Sequence, residues 1–311
     1  MKPRLVIILG PTAVGKSQLA LQLARRLDGE IVNADSQQVY RCMDIGTGKP
    51  SQADRAAVRH HLIDIVAPDE EFNAARYRDL AARAIDDIQR RGKRVLICGG
   101  TGLYLKALMH GLFEGPAQDR ELRKKLEAEI ERHGLAALYR RLCAIDAGVE
   151  SAIHPNDRQR IIRALEVYHA TGKPISVWQR EHAFKESHYA ALKIGLERAR
   201  AELYELINRR SEQMVEAGLL DEVRGLAARG YSLDLKPLRS VGYRQMGEVL
   251  REGKDLQQAL EEMKQETRRL AKRQLTWYRS DPEIRWFHPE RQAEDVLDMA
   301  RRFFAGSEET L

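Results

Sequence analysis

Residues 10–17 read Gly10-Pro11-Thr12-Ala13-Val14-Gly15-Lys16-Ser17, a complete G-x-x-x-x-G-K-[ST] pattern placed directly after the apolar run Leu5-Val6-Ile7-Ile8-Leu9. A strand that runs into a glycine-rich turn and then a helix aims consecutive backbone N–H groups, and the positive end of the helix dipole, at one anion-sized hollow. The apolar positions Leu19, Ala20, Leu21, Leu23 and Ala24 supply the helix after the turn. Lys16 is placed to reach the outer phosphate of a diphosphate or triphosphate, and the Ser17 hydroxyl to ligate a Mg²⁺ that neutralises it. A glycine-rich turn with no ligand is the alternative, and the flanking strand and helix argue against it.

Such a loop belongs to a parallel sheet, and the rest of the chain supports one. Short β-rich runs at 4–9, 30–33, 61–66, 94–98, 192–196 and 284–287 alternate with helical patterns, which predicts an α/β fold with a P-loop NTPase-like parallel sheet flanked by helices. Strand signals stop between about Gly111 and Tyr189, where patterns such as Leu122, Leu126, Ile130 and Ile161, Ile162, Leu165 take over. This stretch reads as an inserted all-helical domain, with Gly111-Leu112-Phe113-Glu114-Gly115-Pro116 as its entry hinge. The expected division is residues 1–112 for the first part of the core, 113–189 for the insertion, and 190–311 for the core continuation and C-terminal helices.

The chain has 311 residues, 43% of them hydrophobic, enough for a full core and a second domain. Its longest apolar run, residues 5–9, falls far short of the ~20 residues of a membrane span, and no secretory signal pattern precedes it. A cytoplasmic location follows as the expectation. Cys42, Cys98 and Cys143 form no C-x-x-C pair, so neither a zinc site nor a disulfide framework is indicated. A formal charge of +6 permits a polyanionic partner without requiring one.

In a parallel sheet all strands end at one edge, so the residues after strands one, two and four meet at the phosphate loop. After strand two comes Asn33-Ala34-Asp35-Ser36-Gln37-Gln38-Val39-Tyr40, and after strand four Gly99-Gly100-Thr101-Gly102-Leu103-Tyr104. A bound diphosphate repels a nearby carboxylate, so Asp35 there needs a purpose such as holding Mg²⁺ or accepting a proton. The alternative is that Asp35 or Ser36 caps a following helix. Strand four ends in two glycines rather than the Asp of an ordinary P-loop ATPase, which favours a loop that holds a departing diphosphate. Farther on, Lys264, Arg268 and Lys272 repeat every four residues with Arg269, Arg273, Trp277 and Arg279 nearby. That stripe suits a phosphate backbone with the tryptophan stacked on a base, or else is a solvated face balanced by Glu261, Glu262 and Glu266.

Together these segments resemble the bacterial tRNA dimethylallyltransferases, also called isopentenyl-tRNA transferases. The resemblance is carried by the phosphate loop, Asp35 to Tyr40, Gly46-Thr47-Gly48-Lys49-Pro50, Gly99 to Tyr104, Asn156-Asp157 with Arg160 and Arg163, Val241-Gly242-Tyr243-Arg244-Gln245, and Ala271 to Trp277. It implies transfer of a dimethylallyl group from dimethylallyl diphosphate to N6 of the adenosine just 3′ of a tRNA anticodon, releasing diphosphate. By the same likeness Asp35 is the general base and Thr101 a positioning hydroxyl. The diphosphate would lie on Gly10, Pro11, Thr12, Ala13, Val14, Gly15, Lys16, Ser17 and Arg210, with Mg²⁺ on Ser17. tRNA would meet Asp35, Ser36, Gln37, Gln38, Thr101, Arg123, Gln159, Arg160, Ile161, Ile162, Arg163, Arg239, Ser240, Val241, Gly242, Tyr243 and Arg244, the insertion clasping the anticodon stem-loop. The resemblance further implies a monomer that works away from membranes. Two other readings fit the loop and sheet alone: an ATP-dependent kinase of a nucleotide or small metabolite, and a nucleic-acid-binding module that uses the loop as a switch.

Overall fold

The computed structural model describes residues 2–113, 115–116, 119–182 and 187–306; the expected entry hinge falls partly outside them, at Glu114. Six parallel strands form one sheet in the order β3-β2-β4-β1-β5-β6, with β1 at Arg4–Leu9, β2 at Gly29–Asn33, β3 at His60–His61, β4 at Arg94–Cys98, β5 at Ala190–Leu196 and β6 at Arg285–Phe287. β1 is central and flanked on both sides, so Leu5 to Leu9 are all buried. This is why its sequence is continuously apolar rather than alternating.

The helix Lys16–Arg26 buries Leu19, Ala20, Leu23 and Ala24 against that sheet. Those four positions fall on one helical face, and together they remove enough apolar surface to anchor the phosphate loop at the helix start. On the far side of the loop, Gly99 follows β4. A Cβ there would lie 2.2 Å from the Ala34 backbone carbon, so only glycine lets the ends of β2 and β4 approach so closely. The Ala34 N–H donates to the Cys98 carbonyl at 2.7 Å and the Thr101 N–H to the Ala34 carbonyl at 3.1 Å.

The third strand departs from expectation. Only His60 and His61 pair with β2, and a single parallel bridge joins Tyr40 to Val66. Leu62 and Asp64 take positive φ values of 62° and 59°, which breaks the ladder. Asn33 Nδ2 then donates to the Leu62 carbonyl at 3.2 Å, and the Asp64 carboxylate binds Lys49 and Arg55 instead of lying on a strand face. A β-rich composition at 61–66 is thus overridden by side-chain contacts.

By its internal contacts the chain divides into two compact units, one of Met1–Met109 with His188–Leu311 and the other His110–Ser187. The second unit is helical, with Arg120–His133, Leu135–Ile145, Arg158–Thr171 and Ile175–His182. It has a core of its own, built on Leu126, Leu138, Leu142, Ile161, Ile162 and Leu165. Two of its helices start on side-chain caps: Asp119 accepts from Glu121 and Leu122, and Asp157 from Arg160 at 3.1 Å. Among the described residues no helix is long and apolar enough to cross a membrane.

Candidate active site

The carboxyl ends of β1, β2 and β4 lie side by side and line a pocket of about 610 Å³, counting the solvent at its mouth. Thr12, Lys16, Ser17, Asn33, Asp35, Gln38, Thr47, Gly99, Arg210 and Gln274 are among its walls. The phosphate loop bends through Gly10 at φ 145° and Gly15 at φ 109°, with Ala13 at 65°. A Cβ on Gly10 would meet the Leu196 carbonyl oxygen at 2.7 Å, so the first glycine serves both the turn and the fit against β5. Behind the loop, Arg198 Nε donates to the Val14 carbonyl at 3.2 Å.

Lys16 is folded back, donating from Nζ to the Gly10 and Pro11 carbonyls at 3.0 and 2.7 Å. Burial pulls its pKa from 10.5 down to about 8, with Cys98 and Asp35 opposing the fall and Arg210 adding to it. Arg210 projects from the middle of the helix Arg200–Glu216. A Cβ on Gly48 would lie only 1.9 Å from one of its terminal nitrogens, so Gly48 is the gap through which the guanidinium enters the pocket. Burial lowers the Arg210 pKa too, and Asp35 works against that. Two half-buried cations without a carboxylate partner within ion-pair distance among the described residues leave an unmet demand for an anion.

Asp35 sits in an irregular turn, and the next helix begins only at Gln52, so neither it nor Ser36 is a helix cap. Its Oδ1 accepts the Gln37 N–H at 2.8 Å, which leaves Oδ2 for another task. Thr101 Oγ1 accepts the Ser36 N–H at 2.9 Å, so its own hydroxyl hydrogen remains to be donated. Gln38 Nε2 donates to the Thr47 and Gly48 carbonyls, each at 3.2 Å. A carboxylate and two cations therefore face one hollow, with the Thr101 hydroxyl held beside the carboxylate through the Ser36 N–H, an arrangement suited to receiving a leaving anion and a proton together.

Two residues in this neighbourhood were given no role by the sequence. Gln274 accepts the Thr12 N–H at 2.9 Å and donates to the Gly100 carbonyl at 2.9 Å, stapling the phosphate loop to the glycine turn after β4. Its place in the run Ala271 to Trp277 was the available signal. Glu222 carried none beyond being an acid in the first turn of the helix Leu219–Ala228. Its carboxylate accepts the N–H groups of Asp44, Ile45 and Gly46 at 2.9, 2.8 and 3.3 Å, and the Tyr243 hydroxyl at 2.5 Å.

The residues expected to meet RNA fall into distinct settings. In the core unit Gln38 lines the pocket and Ser36 and Gln37 join it to Asp35, while Tyr243 is buried on Glu222 and Gly242 gives its N–H to Gln245 Oε1 at 2.8 Å. Val241 and Ser240 precede them half-buried, Arg239 is exposed near Asp234, and Arg244 pairs with Glu248 and Glu266. In the helical unit Gln159 and Arg160 are exposed, whereas Ile161 and Ile162 are core residues. Arg123 grips the buried Glu166 through two bonds of 2.9 and 2.8 Å, and Arg163 donates to the Pro116 carbonyl at 2.9 Å. The basic stripe of the helix Leu256–Tyr278 is partly spent inside the fold: Lys264 pairs with Glu212 and Glu261, and Arg268 donates to Asn208. For those two positions the phosphate-backbone reading gives way to contacts with the helix Arg200–Glu216, an ion pair at Lys264 and a hydrogen bond to a neutral amide at Arg268.

Comparison with known proteins agrees in direction. The family model for IPP transferase matches residues 38–281. The chain is 50% identical to tRNA dimethylallyltransferase 2 of Syntrophus aciditrophicus (strain SB), covering 98% of each chain. It is 53% identical to the tRNA dimethylallyltransferase of Syntrophobacter fumaroxidans, over 91% of this chain and 82% of the other. Among solved structures, the full-length tRNA isopentenylpyrophosphate transferase of Bacillus halodurans is similar with TM-score 0.72 and 40% identity, covering 98% of each chain. A eukaryotic dimethylallyltransferase described as acting on tRNA gives TM-score 0.83 at 27% identity, over 99% of this chain and 81% of the other.

Proposed function

Since this chain belongs to the IPP transferase family of tRNA dimethylallyltransferases, we propose that it moves a dimethylallyl group from dimethylallyl diphosphate to N6 of the adenosine 3′ of a tRNA anticodon. The observation that carries this reading is the shared pocket of Lys16, Arg210 and Asp35, with the Thr101 hydroxyl bonded to the backbone N–H next to Asp35. The bond from the allylic carbon to the diphosphate oxygen breaks, and a bond from that carbon to N6 forms. The diphosphate leaves onto Lys16, Arg210 and the backbone of Gly10 to Ser17, where half-buried cations stabilise negative charge more strongly than exposed ones do. An aromatic amine is nearly non-basic, so its proton must be taken as the new bond forms. Asp35 Oδ2 is the acceptor, with the Thr101 hydroxyl orienting the base or the carboxylate.

Ser17, at the second position of its helix, offers a hard oxygen of the kind Mg²⁺ takes alongside phosphate oxygens. When bound there, Mg²⁺ would neutralise part of the diphosphate charge. The target base must leave its stack to reach Asp35, which places the reaction in a single-stranded loop. Ser36 to Gln38, Arg239 to Arg244, and the exposed Gln159 and Arg160 are the proposed contacts with the RNA. Arg123, Ile161, Ile162, Arg163 and Tyr243 serve that surface by holding its backbone in place. We place the protein in the cytoplasm as a monomer. The names of the relatives speak for transfer to tRNA over phosphoryl transfer from ATP.

The test is incorporation of radiolabelled dimethylallyl diphosphate into unmodified tRNA in the presence of Mg²⁺. Label should enter the wild-type reaction. Asp35→Ala should lower kcat by about 10²–10⁴-fold while tRNA affinity stays within about threefold. Equal losses in turnover and affinity would remove Asp35 from the role of base, and ATP consumption without labelled tRNA would favour a kinase.

A further inference from the structure

Among the described residues the large hydrophobic side chains left exposed are Leu103, at 49%, and Trp277, at 43%. Both belong to the rim of the glycine turn after β4. A Cβ on Gly102 would lie 2.3 Å from Trp277 Nε1 and 2.6 Å from its Cδ1, so the indole rests on bare backbone adjoining Thr101. Leu103 is the next residue. One turn before Trp277, Gln274 ties the same helix to Thr12 and Gly100, which fixes the indole relative to the phosphate loop. Exposure of a tryptophan so near a reaction centre costs hydrophobic stabilisation unless something covers it.

The surroundings say what covers it. Arg269, Arg273 and Trp277 follow one another at four-residue spacing along the helix Leu256–Tyr278 and share one face. All three are exposed, as is Lys272. Lys264 and Arg268 on the same helix are consumed by Glu212, Glu261 and Asn208, whereas no carboxylate pairs with Arg269, Lys272 or Arg273 among the described residues. An aromatic face continuous with a row of open cations is the combination that binds single-stranded nucleic acid, phosphates to the cations and a base to the ring. We propose that Trp277, backed by Leu103, is a stacking ledge for an unpaired base neighbouring the adenosine that enters the cleft. This rests on the reading that the acceptor is tRNA. The ledge would hold the flanking nucleotide outside while Asp35 and Thr101 receive its neighbour, so it serves positioning and not chemistry.

The experiment measures the Kd of an anticodon stem-loop RNA by fluorescence anisotropy, with KM for tRNA and for dimethylallyl diphosphate, in wild type, Trp277→Ala and Trp277→Phe. RNA affinity should fall about tenfold or more in Trp277→Ala and stay within about threefold in Trp277→Phe, because any aromatic face can stack. KM for the diphosphate should not change. Indole emission should be quenched when RNA binds, and less so in Trp277→Phe; a purely structural role would not move this signal. Unchanged RNA affinity in Trp277→Ala overturns the ledge. So does a raised KM for dimethylallyl diphosphate with RNA affinity intact, which would assign the patch to the prenyl chain. Equal damage by Ala and Phe to both substrates would reduce Trp277 to packing on Gly102. A wild-type protein that binds no stem-loop defeats the ledge and the tRNA reading together, whereas RNA binding without label transfer defeats only the reaction.

Discussion

Two glycine-containing loops border the pocket, and they treat negative charge in opposite ways. The loop at Asp44 to Gly48 turns its N–H groups onto the Glu222 carboxylate, which the Tyr243 hydroxyl also reaches. Its anion is supplied by the chain itself, 176 to 178 residues away in sequence. The phosphate loop at Gly10 to Ser17 is given no such acid: the side-chain acceptor that reaches its backbone among the described residues is the neutral Gln274 amide, on Thr12. Lys16 meanwhile spends its donors on the carbonyls of its own loop. A hollow filled from within contributes to folding, while one left to a ligand keeps its binding energy for function.

The largest expected effect separates these two cases. Lys16→Met should cut kcat/KM for dimethylallyl diphosphate by about 10²–10³-fold, since a half-buried cation on the leaving group is gone. Chemical denaturation of the ligand-free protein should shift by no more than about 0.5 kcal/mol, because the charge removed was already penalised by burial. A large stability loss in Lys16→Met would break the contrast. Next, Glu222→Ala should destabilise the ligand-free protein by about 2–4 kcal/mol, as three N–H groups and the Tyr243 hydroxyl lose their acceptor. Glu222→Gln, which keeps one acceptor oxygen, should recover much of that loss in the same urea titration. An unchanged midpoint in Glu222→Ala would mean that the loop stands without its internal anion.

The smallest effect sharpens the comparison through pH. The Lys16 pKa is lowered to about 8 in the empty loop, so below pH 8 the ammonium is charged before substrate arrives and affinity is flat. Above pH 8 the diphosphate must draw a proton onto Lys16 as it binds. KM for dimethylallyl diphosphate should therefore climb, approaching tenfold per pH unit at most. Lys16→Arg should flatten this limb, because a guanidinium stays protonated throughout. A profile that keeps the same rise in Lys16→Arg would assign it to another group.

How far the chain could be read in advance varies by region. β1 and its loop are legible because their signal is contiguous: five apolar residues, then glycines at two of the three loop positions whose backbone takes positive φ. β3 is misread because composition at 61–66 carries no trace of Asn33 and Lys49, whose bonds to Leu62 and Asp64 end the strand after two residues. Lys264 and Arg268 look like part of a phosphate-binding stripe until their partners on the helix Arg200–Glu216 are known. Arg239 to Arg244 show a similar split: one segment holds an exposed arginine and a tyrosine whose hydroxyl is committed to Glu222.

By itself the sequence determined the parallel α/β plan, the anion hollow at Gly10 to Ser17, and the meeting of Asp35 and Thr101 at one sheet edge. Each of these follows from short-range pattern plus the rule that parallel strands end together. The tertiary structure alone decided which charges remain open and which are spent, since Glu222 with Gly46, Gln274 with Thr12, and Lys264 with Glu212 pair across long separations. Backbone hydrogen bonds and apolar periodicity are local and written into neighbouring residues, whereas the pairing of a charge depends on whatever side chain the folded chain happens to bring within about 4 Å.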